Sequence, residues 1–269
     1  MPLAEDAAYL KIILDPIRKC AEYKPKFGKG AKAGLTLEDF QDLYSADPFY
    51  SWFGLNNPLL YAAHKAAGGM TSIYRQIGIG CERLFRRSLQ DSLGLPEESA
   101  KWSYEVPASR GRNRRLTLDG RIALNEVAAA PVRKRIKTWI AKAAQFLDVD
   151  PGIARSLTGV VFEVRQGYKS KDSKRQNADI SNAASAYAAS YLPCALILST
   201  QIDDDIAYRY RAERWFLLVG SADTDDPMKS TYSFMRSVVG YDLAAFFKRN
   251  SEVLHREINE VLRALLEAK

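Results

Sequence analysis

The sequence GVVFEVR occupies residues 159–165 and runs directly into QGYKSKDSKRQNAD, residues 166–179. Its Val and Phe residues have the β-branched and aromatic side chains that are typical of a strand buried on both faces. Glu163 therefore places a carboxylate among apolar neighbours, which is unfavourable unless a cation, a hydrogen-bond network or a metal ion compensates it. Two interpretations follow: an ion pair of Glu163 with Arg165 or a lysine, or a role in binding a metal ion.

The polar run after this strand combines cations with amides, a composition that suits phosphates and base edges. Arg and Lys pair with guanine acceptors, whereas Asn and Gln pair with adenine. The start of a solvated helix with ordinary surface lysines is the alternative interpretation. The candidate DNA-binding residues are Lys171, Lys174, Arg175, Gln176 and Asn177.

A second basic cluster lies in the segment PASRGRNRR, residues 107–115. Four arginines in a short loop that contains glycine favour a clamp on backbone phosphates, and a charged hairpin tip is the alternative. The four are Arg110, Arg112, Arg114 and Arg115.

Composition narrows the class of protein. The chain has 269 residues, a net charge of +7 and a pI near 9.2, which favours a polyanionic partner. Cys20, Cys81 and Cys194 stand far apart in apolar settings and are interpreted as buried, reduced thiols. The only histidines, His64 and His255, have no ligand-spaced neighbour, which argues against zinc. With no secretion signal and no apolar run of membrane-spanning length, we expect a cytoplasmic protein without a membrane partner.

Hydrophobic periodicity predicts an α/β protein with a helical N-terminal portion, residues 1–70, a core at 71–220 and C-terminal helices at 221–269. Strand and helix alternate from 159 to 220, which indicates a sheet that is at least partly parallel. No repeat or low-complexity linker divides the chain, so a single domain is the simplest organisation. The acidic run Asp203–Asp205 precedes a predicted helix and is interpreted as its N-terminal cap.

Residues 47–57 are rich in aromatic side chains and are punctuated by Pro48 and Pro58. The pattern predicts a packed loop whose aromatic residues belong to the core. Stacking on nucleic-acid bases is the alternative. The residues concerned are Phe49, Tyr50, Trp52 and Phe53.

Phosphodiester hydrolysis near neutral pH needs an activated water and a means of stabilising negative charge, and Mg²⁺ held by two or three oxygens supplies both. Asp119 interrupts an apolar strand at 116–124, and Glu163 lies in a second strand. Arg165 shares a face with Glu163 because side chains in a strand repeat every two residues. Glu82 lies beside the apolar stripe of a helix predicted at 71–93, where an ion pair with an arginine is the alternative role.

The order of these elements resembles the PD-(D/E)XK nuclease superfamily, and within it a type II restriction endonuclease, over residues 71–220. The resemblance implies a mixed central sheet flanked by helices and a restriction-endonuclease-like core. It also implies Asp119 as the metal-binding aspartate, Glu163 as the second acidic ligand and Glu82 as a further glutamate on an early helix.

Two positions depart from the family pattern. Leu118 stands where a proline often precedes the aspartate, and Arg165 stands where a lysine is usual. Arginine does not lose its proton to act as a base, although it can orient water or stabilise phosphate charge. Lys169 in the following segment is the other candidate for the lysine role.

The resemblance implies a Mg²⁺-dependent, sequence-specific endonuclease that acts on double-stranded DNA as a homodimer, without a nucleotide cofactor. A DNA repair nuclease, or a nucleic-acid-binding protein that has kept the fold without cleaving, is the alternative that Arg165 leaves open. An RNA-binding regulator is a third and weaker hypothesis, because the chain has no aromatic RNA-binding signature.

Overall fold

The computed structural model describes residues 6–27, 33–107, 113–167 and 182–267. The chain forms two compact units, one of residues 1–80 and 248–269 and the other of residues 81–247. Within the described ranges every β-strand lies in the second unit, and no helix combines the length and the apolar character needed to cross a bilayer.

The first unit is helical. Its core contains the fully buried side chains of Phe40 and Tyr61, and a bidentate contact joins Arg18 to Glu257 with N–O distances of 2.6 and 2.8 Å. The helices are α1 Asp6–Arg18, α2 Leu37–Ser45, α3 Pro48–Trp52, the first part of α4 Pro58–Leu93 and α11 Ser251–Leu266, with a 3₁₀ turn at Lys19–Glu22.

The second unit contains two sheets. The strands are β1 Trp102–Pro107, β2 Asn113–Leu118, β3 Gly120–Ala123, β4 Gly159–Arg165, β5 Tyr191–Ile197 and β6 Phe216–Leu218. β1 and β2 form an antiparallel hairpin, and the other four strands form a sheet in the order β3-β4-β5-β6. β3 pairs antiparallel with β4, whereas β4, β5 and β6 are parallel. The prediction of an α/β protein with a mixed sheet flanked by helices is therefore confirmed.

Helices surround this sheet. On one face Phe162 of β4 packs against Phe85 and Phe234, with ring centroids 5.0 and 5.7 Å apart. The other face carries a cluster that includes Val161, Ala195 and Trp215. The helices are the end of α4, α5 Ala130–Phe146, α6 Pro151–Ser156, α7 at 182–188, α8 Asp204–Ala212, α9 Thr231–Phe234 with a π-helical turn at Met235–Val239, and α10 Leu243–Arg249, with a 3₁₀ turn at Leu124–Glu126.

The predicted packed loop at 47–57 is wrong in two respects. Residues 48–52 form helix α3, because Asp47 accepts the Phe49 N–H at 2.9 Å and Pro48 occupies the first turn. The aromatic side chains also face solvent, and Trp52 is 81% exposed. A helix of five residues has too little surface to bury the rings of Phe49, Tyr50 and Trp52 on one side.

One helix boundary also differs from the sequence prediction. Helix α4 begins at Pro58 and not near 71, since the Asn57 side chain accepts the Leu59 N–H at 2.8 Å. A short helix, α6, begins after Asp150, whose side chain accepts the Gly152 and Ile153 N–H groups. The helical run that starts at Thr231 ends at Gly240, whose φ of 104° is in the left-handed region that terminates helices.

The cysteine prediction is confirmed: Cys20, Cys81 and Cys194 are buried and free. Burial raises the pKa of the Cys81 thiol to about 12, with a smaller contribution from the charge of Glu82. Burial also raises the pKa of the Cys194 thiol, so the Cys81 and Cys194 thiols stay protonated and behave as small apolar side chains.

We expect the Arg18–Glu257 contact to make stability depend on pH. The hydrogen bond from Arg18 holds the pKa of Glu257 below its ordinary value of 4.5, so its stabilisation is present above that pH and is lost as the pH falls through the lowered pKa. Glu257→Gln should cost about 1 kcal/mol or less at pH 7, because Arg18 is half exposed, and close to nothing near pH 3.

Urea denaturation at several pH values measures this difference. Glu260→Gln, an exposed change on the same helix, is the matched control, and its deficit should be smaller than that of Glu257→Gln because Glu260 interacts only weakly with Arg18. A Glu257→Gln deficit that remained constant down to pH 3 would assign the effect to packing and not to charge.

Candidate active site

Strand β4 places Glu163 and Arg165 side by side. Glu163 is 6% exposed, and its carboxylate forms an ion pair with the Arg165 guanidinium, whose side chain is only 11% exposed. Their spacing of two puts both on one face of β4. The ion pair considered from the sequence is thus present, and it neutralises a carboxylate that would otherwise be unfavourable at this depth.

The face of β4 that carries Glu163 is covered by the β1–β2 hairpin and by α7. Trp102 of β1 and Ala183 and Ala186 of α7 belong to the apolar cluster on this face. The Tyr104 hydroxyl hydrogen-bonds to Asn182 at the start of the described part of α7. Burial raises the pKa of Tyr104, a hydrogen bond with Ser185 opposes the shift, and the charge of Glu163 adds to it.

Asp119 lies at the bend where β2 passes into β3, next to the middle of β4. Its N–H donates to the Phe162 carbonyl at 2.8 Å, and its Oδ2 accepts the Val164 N–H at 2.9 Å. The antiparallel register pairs Gly120 with Phe162, so one further step places Asp119 opposite Glu163. The register therefore places the two predicted acidic residues at neighbouring positions of the second unit.

Helix α4 holds this bend in place. Arg86 donates from its guanidinium to the Asp119 carbonyl at 3.2 Å. The Phe85 ring packs on the bend so closely that a Cβ at residue 120 would lie 2.6 Å from it, which explains the glycine there. Each residue of the Asp-Gly pair thus has its own structural reason. The Asp119 carboxylate accepts a hydrogen bond from the β4 backbone, and Gly120 leaves room for the Phe85 ring.

Glu82, the third acidic candidate, is half buried on α4, one turn before Arg86. Residues four apart in a helix are neighbours on its surface, so Glu82 belongs to the same side of α4 as the arginine that contacts Asp119. Its charge also contributes to the raised pKa of Cys81. Glu82 therefore lies on α4 beside the arginine that contacts the bend at Asp119.

The predicted DNA-binding residues are placed only in part. Arg115 lies in β2 with its guanidinium exposed and donating to Ser103 Oγ at 2.6 and 2.9 Å, and for Arg114 only the backbone position in β2 is described. β1 and β2, which flank the basic segment, pair antiparallel. The remaining candidates lie outside the described residues: Arg110, Arg112, Lys169, Lys171, Lys174, Arg175, Gln176 and Asn177.

The acidic run at Asp203–Asp205 has the structural role predicted from the sequence. Asp203 is the N-cap of α8, and its carboxylate accepts the Asp205 N–H at 3.0 Å. Asp204 and Asp205 lie in the first turn, where negative charge is favourable at a helix N-terminus.

The candidate ligands suit Mg²⁺ better than they suit a metal ion that is held entirely by protein side chains. Over the ranges that the structure describes, no three His, Cys, Asp or Glu side chains come together as a metal-binding group. Asp119 and Glu163 supply two carboxylates on neighbouring strands, and Mg²⁺ is commonly held by one or two carboxylates together with water and substrate phosphate. Two clefts, of about 850 and 510 Å³, lie between α5 and the segment after β6, and none of the candidate residues lines them.

Comparison of the chain with protein-family models, with curated proteins and with solved structures found no match. The nuclease hypothesis therefore depends on the residues and on the geometry given above.

Two residues near the site were not predicted from the sequence. Tyr104 on β1 hydrogen-bonds to Asn182 at the start of the described part of α7. Arg86 on α4 contacts the Asp119 main chain. Both contacts join segments that are distant in the chain, so local pattern could not reveal them.

The buried Glu163–Arg165 pair should show strong thermodynamic coupling. Arg165→Met should cost about 3–5 kcal/mol, because Glu163 stays buried without this cation, whereas Glu163→Gln combined with Arg165→Met should recover most of the loss. A double-mutant cycle by urea denaturation measures the coupling.

The Arg121–Glu126 pair, whose side chains are 20% and 29% exposed, is the matched control. Arg121→Met should cost less than Arg165→Met, since solvent can replace part of the lost interaction. If the losses in unfolding free energy of the two single variants simply add up in the double variant, the two charges do not stabilise each other.

Proposed function

We propose that this protein is a Mg²⁺-dependent, sequence-specific endonuclease of double-stranded DNA, of the type II restriction class and with a PD-(D/E)XK core. The observation that carries the proposal is the position of Asp119. Its carboxylate accepts a hydrogen bond from the Val164 N–H of β4, and the register places Asp119 opposite Glu163. Arg165 lies on the same face of β4 as Glu163 and forms an ion pair with it.

The order of elements supports this proposal. A helix with a half-buried glutamate, Glu82, precedes the bend at Asp119, and the strand with Glu163 and Arg165 comes next. β3 pairs antiparallel and β5 parallel with that strand, so Glu163 lies on an inner strand of a mixed sheet and Asp119 directly precedes the edge strand. The same order of elements is implied by the family resemblance, which supports the proposal.

The departure at Leu118 has a structural reason. Leu118 is fully buried in the cluster that contains Trp102 and Val161, so an apolar side chain before the aspartate contributes to the core. This position therefore affects packing and leaves the chemistry of Asp119 unchanged.

The departure at Arg165 changes the division of roles. Arg165 remains protonated at any physiological pH, so it supplies positive charge to Glu163 or to a reacting phosphate and does not take a proton. Lys169 is then the residue of this chain that could exchange a proton. A bound Mg²⁺ would lower the pKa of a water ligand and stabilise charge on the phosphate.

Basic residues on both sides of the carboxylates would hold the DNA. The hairpin arginines, of which Arg115 is exposed, are suited to backbone phosphates, and the cations and amides at 171–177 are suited to base edges. In the proposed interface the arginines would attract DNA of any base sequence, and residues 171–177 would recognise a particular base sequence.

A DNA-binding protein that does not cleave is the second candidate function. It is favoured by the Glu163–Arg165 ion pair, since a carboxylate already neutralised by arginine needs no metal ion for stability. A DNA repair nuclease would share the same residues and differ in how it selects its substrate.

Incubation of the purified protein with plasmid DNA and Mg²⁺ separates these functions. Discrete fragments support the proposal. A smear indicates a nuclease without sequence specificity, and intact DNA with a gel shift indicates a binding protein.

Asp119→Asn and Glu163→Gln should each reduce cleavage by more than about 100-fold while DNA binding stays close to wild type. Each substitution would remove a proposed metal ligand. The loss of a residue that only supports a metal ligand costs about 10–100-fold in metal affinity or activity, and the loss of a ligand should cost more. The rate of plasmid linearisation and a gel shift measure the two properties.

Asp204→Asn is the matched control, since Asp204 is an exposed carboxylate in the first turn of α8. It should cleave at the wild-type rate. Full cleavage by either candidate variant would remove that carboxylate from the proposed metal site.

Metal binding should also appear as a change in stability that does not depend on cleavage. Arg165→Met removes the cation that neutralises Glu163, so Mg²⁺ or Ca²⁺ should raise the Tm of this variant more than that of the wild type. An ion at about 100 times its Kd contributes roughly 2.7 kcal/mol.

Adding Asp119→Asn to Arg165→Met should abolish the extra increase in Tm. If neither ion raises the Tm of Arg165→Met more than it raises the Tm of the wild type, the carboxylates take part only in an ion-pair network. The second candidate function is then favoured.

A further inference from the structure

Helix α5 of the second unit is basic along one side. Its Trp139 packs toward the sheet, with the ring centroid 5.2 Å from that of Phe216. A stripe of α5 side chains, spaced by three or four residues from 131 to 146, lines the two clefts beside the segment after β6. The stripe is about 22 Å long. The helix has no carboxylate, and its five cations are Arg133, Lys134, Arg135, Lys137 and Lys142.

The two clefts are adjoining parts of one groove, because Lys142, Asp226 and Met228 line both. We call it the α5 groove. It lies at the edge of the sheet that is formed by β6, with α5 on one side and Arg211 of α8 on the other. Its two parts, of about 850 and 510 Å³, have the size of small-molecule sites, which commonly measure about 300–1,000 Å³.

Hydrogen bonds fix the two walls of the α5 groove to each other. Trp139 Nε1 donates to the Pro227 carbonyl at 2.9 Å, and Arg135 Nε donates to the Val238 carbonyl at 2.9 Å. α5 is therefore joined to both segments that face it, and the groove is formed before a ligand binds, as is usual for small-molecule sites.

The larger part of the groove offers an apolar lining and an aromatic ring. Leu147, Leu217 and Val219 line it. Phe146 also lines it and is 66% exposed, while its ring is held against Phe216 at a centroid distance of 5.9 Å and an interplanar angle of 80°. An ordered ring that is open to solvent provides a surface on which a flat aromatic group can stack.

The carboxylates of the groove already have partners. Asp223 accepts a hydrogen bond from the Ser221 hydroxyl. Asp226 accepts the Met228 N–H at 2.9 Å and lies 3.7 Å from Lys229 Nζ. Asp225, which is next to them in sequence and does not line the groove, forms an ion pair with Arg236.

The cations of the groove outnumber these carboxylates. Lys142 and Arg211 line the larger part from α5 and α8, and neither has an ion-pair partner among the described residues. Ammonium and guanidinium groups bind phosphate oxygens through charge-assisted hydrogen bonds. Five cations line the groove as a whole against the two carboxylates Asp223 and Asp226, so an anion is favoured; the cations are Lys134, Arg135, Lys142, Arg211 and Lys229.

We propose that the α5 groove binds a small molecule that combines a phosphate group with a flat aromatic body, as a mononucleotide does. Lys142 and Arg211 hold the phosphate, and the aromatic body stacks on Phe146. The proposal is independent of the proposed nuclease function, because β6 is two strands away from β4 and none of the candidate active-site residues lines the groove. A ligand bound here is therefore not a cofactor for cleavage.

Isothermal titration of the full chain with AMP, adenosine and inorganic phosphate tests this proposal. AMP should bind at least about 10-fold more tightly than either of the other two, because it alone uses both halves of the site. Lys142→Met and Arg211→Met should each weaken AMP binding by about 10-fold or more and leave adenosine binding unchanged. Phe146→Ser should weaken the binding of AMP and of adenosine.

Lys137→Met is the matched control, because Lys137 is an exposed lysine of α5 that does not line the groove. It should bind AMP as the wild type does. The proposal is overturned if AMP binds no more tightly than inorganic phosphate, or if Lys137→Met loses as much affinity as Lys142→Met, since the attraction would then belong to the whole basic helix. Displacement of AMP by duplex DNA would also overturn it, because the groove would then be part of a nucleic-acid surface.

Discussion

The negative charge of a carboxylate in a strand that is covered on both faces has to be neutralised or hydrogen-bonded by nearby groups. The structure around β4 in the second unit meets this requirement. Glu163 is in the middle of β4, with the apolar cluster around Trp102 and Val161 on its own face. Arg165 meets the requirement from the same strand, and Asp119 binds the β4 backbone from the neighbouring bend. Arg86 and Phe85 of α4 contact the bend, and the hairpin contributes Trp102 to the apolar cluster on the face that carries Glu163.

The same requirement connects stability to chemistry. A pair of well-packed apolar side chains would stabilise β4 as well as the Glu163–Arg165 ion pair, or better, so stability alone gives no reason to keep two charges there. Charges retained at such a depth, next to a second carboxylate, are what a site for phosphate chemistry needs. The ion pair is therefore consistent with both candidate functions, and they differ in whether a metal ion can take the place of Arg165 beside Glu163.

The distribution of charge along the sequence is uneven. Basic runs occur at 110–115 and 165–175, whereas residues 35–64 contain no lysine or arginine. In the proposed function, the two basic runs would attract the polyanion by long-range electrostatics.

Local sequence determined the elements that carry the candidate site. The pattern of β4, the bend at Asp119, the capping role of Asp203 and the mixed sheet were predictable, because they depend on the spacing of apolar residues and on interactions between near neighbours in the chain. Tertiary structure alone decided that Arg86 reaches the Asp119 carbonyl and that Tyr104 lies within the field of Glu163. It also decided that the aromatic residues of α3 face solvent, since hydrophobicity predicts burial only where another element is available to cover the side chain. Contacts between residues distant in sequence depend on packing geometry, which no local pattern contains.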